Sequence, residues 1–371
     1  VRQPAYDILV VGAGLYGSCF ARLAADVGQR VLLLDRRHHV GGNCYTEQRE
    51  GIHIHRYGPH IFHTSNTAVW EFVQRFAEFN TFVNSPLALS RGELFSLPFN
   101  MYTFRQLWGV LTPEQARRKL LEQCVDYGRP PRNLEEQALA LLGRDIYDRL
   151  IKGYTMKQWQ KDPRDLPAEI IRRTPLRFTY NCNYYNDTYQ GVPVHGYTQL
   201  FKAMLRGLDV RLGVDYLSNR RYWEQQATLI VYTGKIDEFF EYDLGELEYR
   251  TLEFRDVWLE TDNAQGNAVI NSCDVDIPYT RKIEHRHFAP PPLPTPVTVV
   301  TEETPVAWSR EKTPYYPVNT SENMALYARY KERADALNGY IFGGRLAEYK
   351  YYDMHAVVGA AMLKYKSLQS L

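Results

Sequence analysis

The chain has 371 residues, 44% of them hydrophobic, and its 44 Lys and Arg nearly balance 43 Asp and Glu, for a net charge of +1. That length predicts two or more domains with a sizeable core, and the balanced charge, without a long basic run, argues against a nucleic-acid partner. No apolar run approaches the roughly 20 residues of a membrane span, and the five cysteines (Cys19, Cys44, Cys124, Cys182, Cys273) are scattered, odd in number and free of any CxxC pair, which reads as a reducing, cytoplasmic setting.

The first strand is expected almost at once, which leaves no room for a signal peptide. Ile8–Val11 forms an apolar run that ends on Gly12-Ala13-Gly14-Leu15-Tyr16-Gly17. A helix-period segment follows (Phe20, Leu23, Ala24, Val27), then a second apolar run, Val31–Leu34, ending in Asp35. This is a strand, a tight glycine turn, a helix and a second strand. Gly12 permits the turn, Gly14 lets the backbone approach a pyrophosphate, and Gly17 lets the helix pack close to the strand. The helix N-terminus offers free N–H groups and a partial positive charge to the phosphates. Asp35 stands where a carboxylate can accept both ribose hydroxyls of an adenosine. In this context the glycine pattern predicts a dinucleotide site. A second glycine pair, Gly41-Gly42 before Asn43, lets another loop approach the cofactor and favours FAD over NAD.

Residues 51–63, GIHIHRYGPHIFH, alternate like a strand. Their four histidines, His53, His55, His60 and His63, invite a metal reading. No Cys, Asp or Glu stands nearby in ligand spacing, so no metal is expected. His60 and His63 are instead candidates to touch an isoalloxazine ring. A short strand pair is expected around Arg91-Gly92. Helices are expected over Thr103–Leu111, Pro113–Tyr127, Asn133–Leu142 and Gly143–Gln158, the second with Thr112 as cap and Pro at the first position. Lys161–Pro167 is polar and framed by prolines, the composition of an exposed lid. Tyr154 and Trp159 precede it. Arg172, Arg173 and an aromatic run, Tyr180–Tyr189, follow. The group suggests closure over an aromatic, anionic ligand. The whole chain carries Tyr and Trp in number, 28 and 6, good platforms for stacking a base or sugar.

Short strands are expected at Asp209–Tyr216 and Leu229–Tyr232, and an all-strand meander over Leu247–Arg286. Pro290–Pro294 reads as a stiff connector. Val297–Glu302 resumes the sheet and Glu322–Leu337 is a helix. The strand Tyr340–Phe342 ends in Gly343-Gly344-Arg345, and Asp353 caps a last helix whose N-terminus would stabilise negative charge at flavin N1/O2.

These motifs carry a resemblance. VVGAGLYG (10–17), GGNCYTE (41–47), GPHIFHT (58–64), NSPLA (84–88), LPFNM (97–101), IKGYTMKQW (151–159), RFTYN (177–181), GNAVIN (266–271), PYTRKIEH (278–285), PYYPVN (314–319) and GGRLAEYKYYDMH (343–355) together resemble the bacterial UDP-galactopyranose mutases over nearly the whole chain. The resemblance implies a mixed α/β fold: a Rossmann-like FAD-binding domain with a helical-bundle insertion and an antiparallel β-sheet domain. The FAD-binding domain would take 1–80 with about 195–245 and 325–371. The helical domain would take about 100–175, with a mobile lid at 160–176. The sheet domain would take about 84–98, 176–194 and 246–324. Partners implied are UDP-galactopyranose and UDP-galactofuranose, a cellular flavin reductant and a second copy in a homodimer.

By the same resemblance Arg173 and Arg281 look like the pair that clamps the diphosphate. Tyr154 and Trp159 look like the uridine-binding aromatics, and Tyr184, Tyr315 and Tyr351 reach the phosphates. Asp353, His60, His63 and Asn84 lie at the galactose and flavin end, the two histidines being catalytic candidates beside the arginines. The implied cofactor set is Gly12, Gly14, Leu15, Tyr16, Gly17, Asp35, Arg36, Gly42, Asn43, His60, Ile61, Arg345, Tyr352, Asp353 and Met354. His195 departs from the pattern, which expects glycine there. The implied chemistry is attack of reduced flavin N5 on the galactose anomeric carbon, with UDP leaving and later returning, so FAD is active when reduced. Two other readings share the N-terminal fingerprint: an FAD amine or alcohol oxidase, which leaves the arginine pair unused, and a nucleotide-sugar binding protein with a structural flavin.

Overall fold

The structure is a computed structural model that describes residues 4–172, 174–289 and 295–369. Arg173 and the proline connector 290–294 therefore lie outside the described residues.

The first apolar run forms the strand Tyr6–Val11, followed by the helix Leu15–Asp26 and the strand Val31–Asp35. They enter a five-stranded sheet ordered Tyr340–Phe342, Ala227–Tyr232, Tyr6–Val11, Val31–Asp35, Asp209–Leu212. Every pairing in it is parallel. A parallel sheet covered on both faces needs strands apolar throughout, and Leu9, Val10, Leu32, Leu33 and Leu34 are fully buried. Tyr6–Val11 is the middle strand. Its chain continues to one side, while its other neighbour returns from far along the sequence. Ligands bind at the carboxyl ends of strands where the order reverses in this way.

The second sheet has seven strands: Tyr316–Pro317, Tyr249–Leu259, Thr298–Ala307, Arg281–Glu284, Val269–Ser272, Leu87–Ser90 and Glu93–Ser96. It is antiparallel except where Ile270 pairs in parallel with Leu87. The Leu87–Ser96 hairpin is about 170 residues away in sequence from its partner, so no short turn dictates its direction.

Between residues 100 and 160 the chain is helical: Met101–Trp108, Pro113–Gln123, Leu134–Ile146, a π-turn at Tyr147–Ile151, and Lys152–Trp159. Caps set the starts. The Asn100, Thr112 and Asn133 side chains each accept a backbone N–H of the first turn. The first of these helices ends at Trp108, three residues earlier than expected, because Gly109 caps it with a φ of 68°. Gly143 (φ 74°) breaks the third helix where a new one was expected to begin. The helices Thr67–Gln74 and Gly196–Met204 are among those that sequence reasoning missed. His195 has an ordinary φ of −102°, so nothing in its backbone requires glycine. Among the described residues no helix is long and apolar enough to cross a membrane.

Candidate functional site

At the carboxyl edge of the parallel sheet lies a cleft of about 1260 Å³, partly open to solvent. Gly12, Gly14, Leu15, Tyr16, Gly17, Asp35, Arg36, Gly42, Asn43, His60, Arg345 and Met354 all line it. The glycines are there for space. A Cβ on Gly17 would meet the Gly12 carbonyl at 2.0 Å, so the helix touches the turn. A Cβ on Gly42 would stand 3.0 Å from Gly14 Cα, so the two glycine loops meet backbone to backbone on the cleft floor. The late pair, Gly343-Gly344, serves a different purpose. A Cβ at Gly343 would lie 2.2 Å from the Tyr16 ring, so this pair seats the ring that follows the first turn.

Asp35 is buried, and backbone amides hold both of its oxygens. Ala13 N–H donates to Oδ2 at 2.7 Å and Arg37 N–H to Oδ1 at 2.8 Å. A carboxylate has about four acceptor sites, so two remain for ligand hydroxyls. Lining residues that sequence reasoning passed over include Val214–Leu217, Thr233 and Pro314. Thr233 closes the floor, its hydroxyl donating to the Val11 carbonyl at 2.8 Å.

The opposite end of the cleft is reached by His60 and Arg345. His60 Nδ1 lies 2.8 Å from the Gly58 carbonyl, so Nδ1 carries the proton and Nε2 the lone pair. Burial pushes its pKa down to about 4, Arg345 and Arg281 push the same way, and the Gly58 carbonyl opposes them. Behind it runs a line of buried histidines. His60 N–H donates to His55 Nδ1 at 3.0 Å, and His55 N–H to His285 Nδ1 at 3.2 Å. His285 Nε2 is 2.8 Å from the Thr301 hydroxyl, which donates to Asp256 at 2.7 Å. Arg345 donates to the Tyr352 carbonyl at 2.9 Å and lies over the Tyr351 ring at 5.1 Å. Ile61 and Tyr352, expected at the cofactor, are buried and do not line the cleft; the Tyr352 hydroxyl is hydrogen-bonded to Glu348.

A second cavity, of about 740 Å³, lies between the helices and the large sheet. Tyr154, Trp159 and Tyr184 line it, with Asn271 from the sheet and Ile170, Ile171, Thr174 and Pro175 from the expected lid. That lid carries a single turn at Pro163–Asp165 and a short helix, Glu169–Arg172. Asn271 Oδ1 is buried without a hydrogen-bond partner among the described residues. Arg281 stands opposite Asn271 in the sheet register, and its charge is felt by Tyr154, Tyr184 and Tyr351. Its guanidinium is paired at 2.8 Å with Glu303, which is 1% exposed. Burial alone would lower the Arg281 pKa; Glu303, together with Tyr154 and Tyr316, more than offsets it, so the group is held charged. Sequence reasoning missed Glu303, because only the register of Arg281–Glu284 against Thr298–Ala307 brings the two opposite each other.

The Tyr315 side chain is buried near Tyr57 and Tyr316. Asn84 is buried, and its carbonyl accepts from Tyr184 N–H at 2.7 Å. The four clustered histidines part company. His53 lies near His195, His55 joins the buried line, His60 faces the cleft, and His63 bonds Asp187 at 2.6 Å.

The glycine turn, the oriented acid and the cleft at the carboxyl edge define a dinucleotide-binding protein of Rossmann type, and residues 10–76 match the family described as an NAD(P)-binding Rossmann-like domain. Residues 149–351 match the UDP-galactopyranose mutase family. The chain is 37% identical over 363 residues to the dTDP-fucopyranose mutase of Escherichia coli, covering 96% of each chain. It is 38% identical over 361 residues to a probable UDP-galactopyranose mutase of Klebsiella pneumoniae, covering 96% of this chain and 93% of the other. The crystal structure of a reduced UDP-galactopyranose mutase superposes with a TM-score of 0.76 at 13% identity, covering all of this chain and 94% of the other, a likeness of fold. The chain belongs to the UDP-galactopyranose mutase family, a family of isomerases.

Proposed function

We propose that the chain interconverts UDP-galactopyranose and UDP-galactofuranose with bound, reduced FAD, in the cytoplasm and as a homodimer, its flavin kept reduced by a cellular reductant. The observation that carries this reading is the match along almost the whole chain to curated mutases. The FAD-binding, helical and sheet domains divide along the boundaries set out above.

The cleft residues fit FAD. The backbone contact of Gly14 and Gly42 leaves a floor without side chains for a pyrophosphate. Asp35 keeps two acceptor sites for ribose hydroxyls, and the first helix turns its free N–H groups to the phosphates. When bound, the reduced flavin supplies an electron-rich N5 as nucleophile toward the galactose anomeric carbon.

The chain supplies binding, orientation and electrostatics. Tyr154 and Trp159 hold the uridine in the second cavity. Tyr184, Tyr315 and Tyr351 reach the phosphates. Arg281 and Arg173 stabilise the charge that gathers on the diphosphate as it leaves, a service worth on the order of 10²-fold or more per donor. Glu303 ties one edge of Arg281, and the rest of the guanidinium remains for phosphate oxygens. His60, neutral and with its Nδ1 proton spent on Gly58, keeps Nε2 to accept a proton from a ligand N–H or hydroxyl. His63, Asn84 and Asp353 serve the sugar end. Closure of 160–176 excludes water, which would hydrolyse an activated sugar.

The test is anaerobic incubation with UDP-galactofuranose, with and without dithionite, followed by chromatography for UDP-galactopyranose. Conversion is expected only in the reduced state. Arg281→Ala is expected to keep its flavin and lose turnover; normal turnover would sink the clamp. The relative from Escherichia coli favours a second reading, the same ring contraction on dTDP-fucopyranose. Running dTDP-fucofuranose in parallel decides between them by the ratio of kcat/KM values.

A further inference from the structure

The fold brings to one of the histidines the acids that its own stretch of sequence lacks. His63 Nδ1 lies 2.6 Å from one oxygen of Asp187, and the other oxygen accepts from the Ser65 hydroxyl at 2.8 Å. A neutral imidazole that donates from Nδ1 keeps its lone pair on Nε2. A carboxylate behind it fixes the ring and raises its basicity, the outer-shell arrangement that metal-binding imidazoles carry. The His63 ring is also clamped, stacked on Tyr185 with centroids 3.6 Å apart.

His355 meets this ring edge-on at 4.9 Å. Its Nδ1 is buried and has no hydrogen-bond partner among the described residues, a condition that calls for an explanation in a folded protein. Asp353 stands two residues earlier, just before the helix Met354–Gln369. One donor atom from each of His63, Asp353 and His355 lies within 4.8 Å of the others. Bonds of about 2.0–2.1 Å in a tetrahedron set donors roughly 3.4 Å apart, so small side-chain rotations would close the set.

We propose that His63, Asp353 and His355 form a divalent transition-metal site of the Zn²⁺ class, with Asp187 as the positioning carboxylate. Two imidazoles and one carboxylate select Zn²⁺, Co²⁺ or Ni²⁺ over Mg²⁺ and Ca²⁺, which prefer all-oxygen sites. Asp353 and Asp187 are the acids whose charge acts on His355. A plain His–Asp hydrogen bond accounts for His63 and Asp187 but leaves His355 Nδ1 unpaired. Because the proposed function also assigns Asp353 to the sugar, the ion and the sugar draw on one carboxylate. Inhibition by Zn²⁺ rests on that reading; binding of Zn²⁺ does not.

The experiment uses the full-length holoprotein, freed of metal by a chelator and then titrated with ZnCl₂ by calorimetry. CoCl₂ is added in parallel to read ligand-field bands beyond the flavin absorption. One Zn²⁺ per chain is expected. His355→Ala should abolish binding, and Asp187→Asn should weaken it about 10–100-fold, both with flavin content unchanged as the sign of a folded chain. His355→Asn provides a second variant should the alanine fail to fold, with the same loss expected. No saturable binding by the wild type, or equal binding by wild type and His355 variants, overturns the site. If Zn²⁺ binds as described but no nucleotide sugar is turned over, the proposed function fails and the metal site stands.

Discussion

The contact between the two glycine loops is a direct test of how the cleft is built. Gly42 has a φ of 54°, and a Cβ there would lie 3.0 Å from Gly14 Cα. Gly42→Ala therefore carries two costs. The left-handed backbone costs an alanine about 1–2 kcal/mol, and overpacking against an immovable backbone atom adds about 1–3 kcal/mol. Gly28→Ala is the control, because Gly28 has a φ of 85° and a Cβ there would meet nothing within 4 Å. It pays the backbone cost alone. The difference between the two variants isolates the contact. If the chain relieves that contact by parting the loops, about 1–3 kcal/mol is lost from pyrophosphate binding, or roughly 5- to 140-fold in FAD affinity at about 1.4 kcal/mol per tenfold. The assay is FAD affinity of the apoprotein by flavin fluorescence, beside thermal midpoints for both variants. Both should melt slightly lower, and only Gly42→Ala should bind FAD weakly. Equal FAD affinity in wild type and Gly42→Ala would refute the idea that the loops meet to form the floor.

Two other perturbations follow from buried polar groups. Lys157, 7% exposed, donates to the carbonyls of Ser272 and Tyr279, both at 2.9 Å, and burial lowers its pKa to about 8. Lys157→Met leaves both carbonyls unpaired beneath the helix that carries Tyr154 and Trp159, so a loss of about 2–5 kcal/mol is expected in urea unfolding; a change under 1 kcal/mol would show that water replaces the amine. His55, His60 and His285 have folded pKa values pushed down by burial, to about 4 for His60 and about 3 for His285. Below the unfolded value of about 6.5 the unfolded chain takes up protons that the fold refuses. The stability they allow is thus complete above about pH 6.5 and falls as pH drops toward their folded values, by up to about 1.4 kcal/mol per unit for each histidine. Urea midpoints at pH 7.5, 6 and 5 measure the slope, and a flat profile would mean that the fold lets all three rings take up protons as the unfolded chain does.

What could be read in advance was what neighbours in sequence decide. The glycine turn, the acid at the end of the second strand and the caps at Asn133 and Thr112 act over a few residues, and each stands where local chemistry puts it. Glycines were readable as exceptions but not always as to purpose. Gly343 reads only as part of a glycine pair at a strand end, yet its missing side chain makes room for Tyr16, more than 300 residues earlier. Gly196, with a φ of 76°, opens a helix that sequence reasoning missed. Its positive φ falls at the first position, where the backbone is still turning in from Pro193.

Pairs that meet across the fold left no local trace. Glu303 follows Arg281 by 22 residues and meets it through strand register. Asp187 reaches His63 across 124 residues, through the pairing of Phe62–Thr64 with Tyr189–Gly191. The histidine-rich stretch shows why such pairs decide function. Along the chain its four rings look like one cluster. In the fold the strand Ile52–His55 sends His53 and His55 to different neighbours, Gly58 turns the backbone, and His60 and His63 end against different walls. Proximity in sequence invited a metal reading that the want of nearby acids argued against; the fold leaves one of the four, His63, beside a carboxylate and a second imidazole, and that local set, not the density of histidines, is what the proposed metal uses.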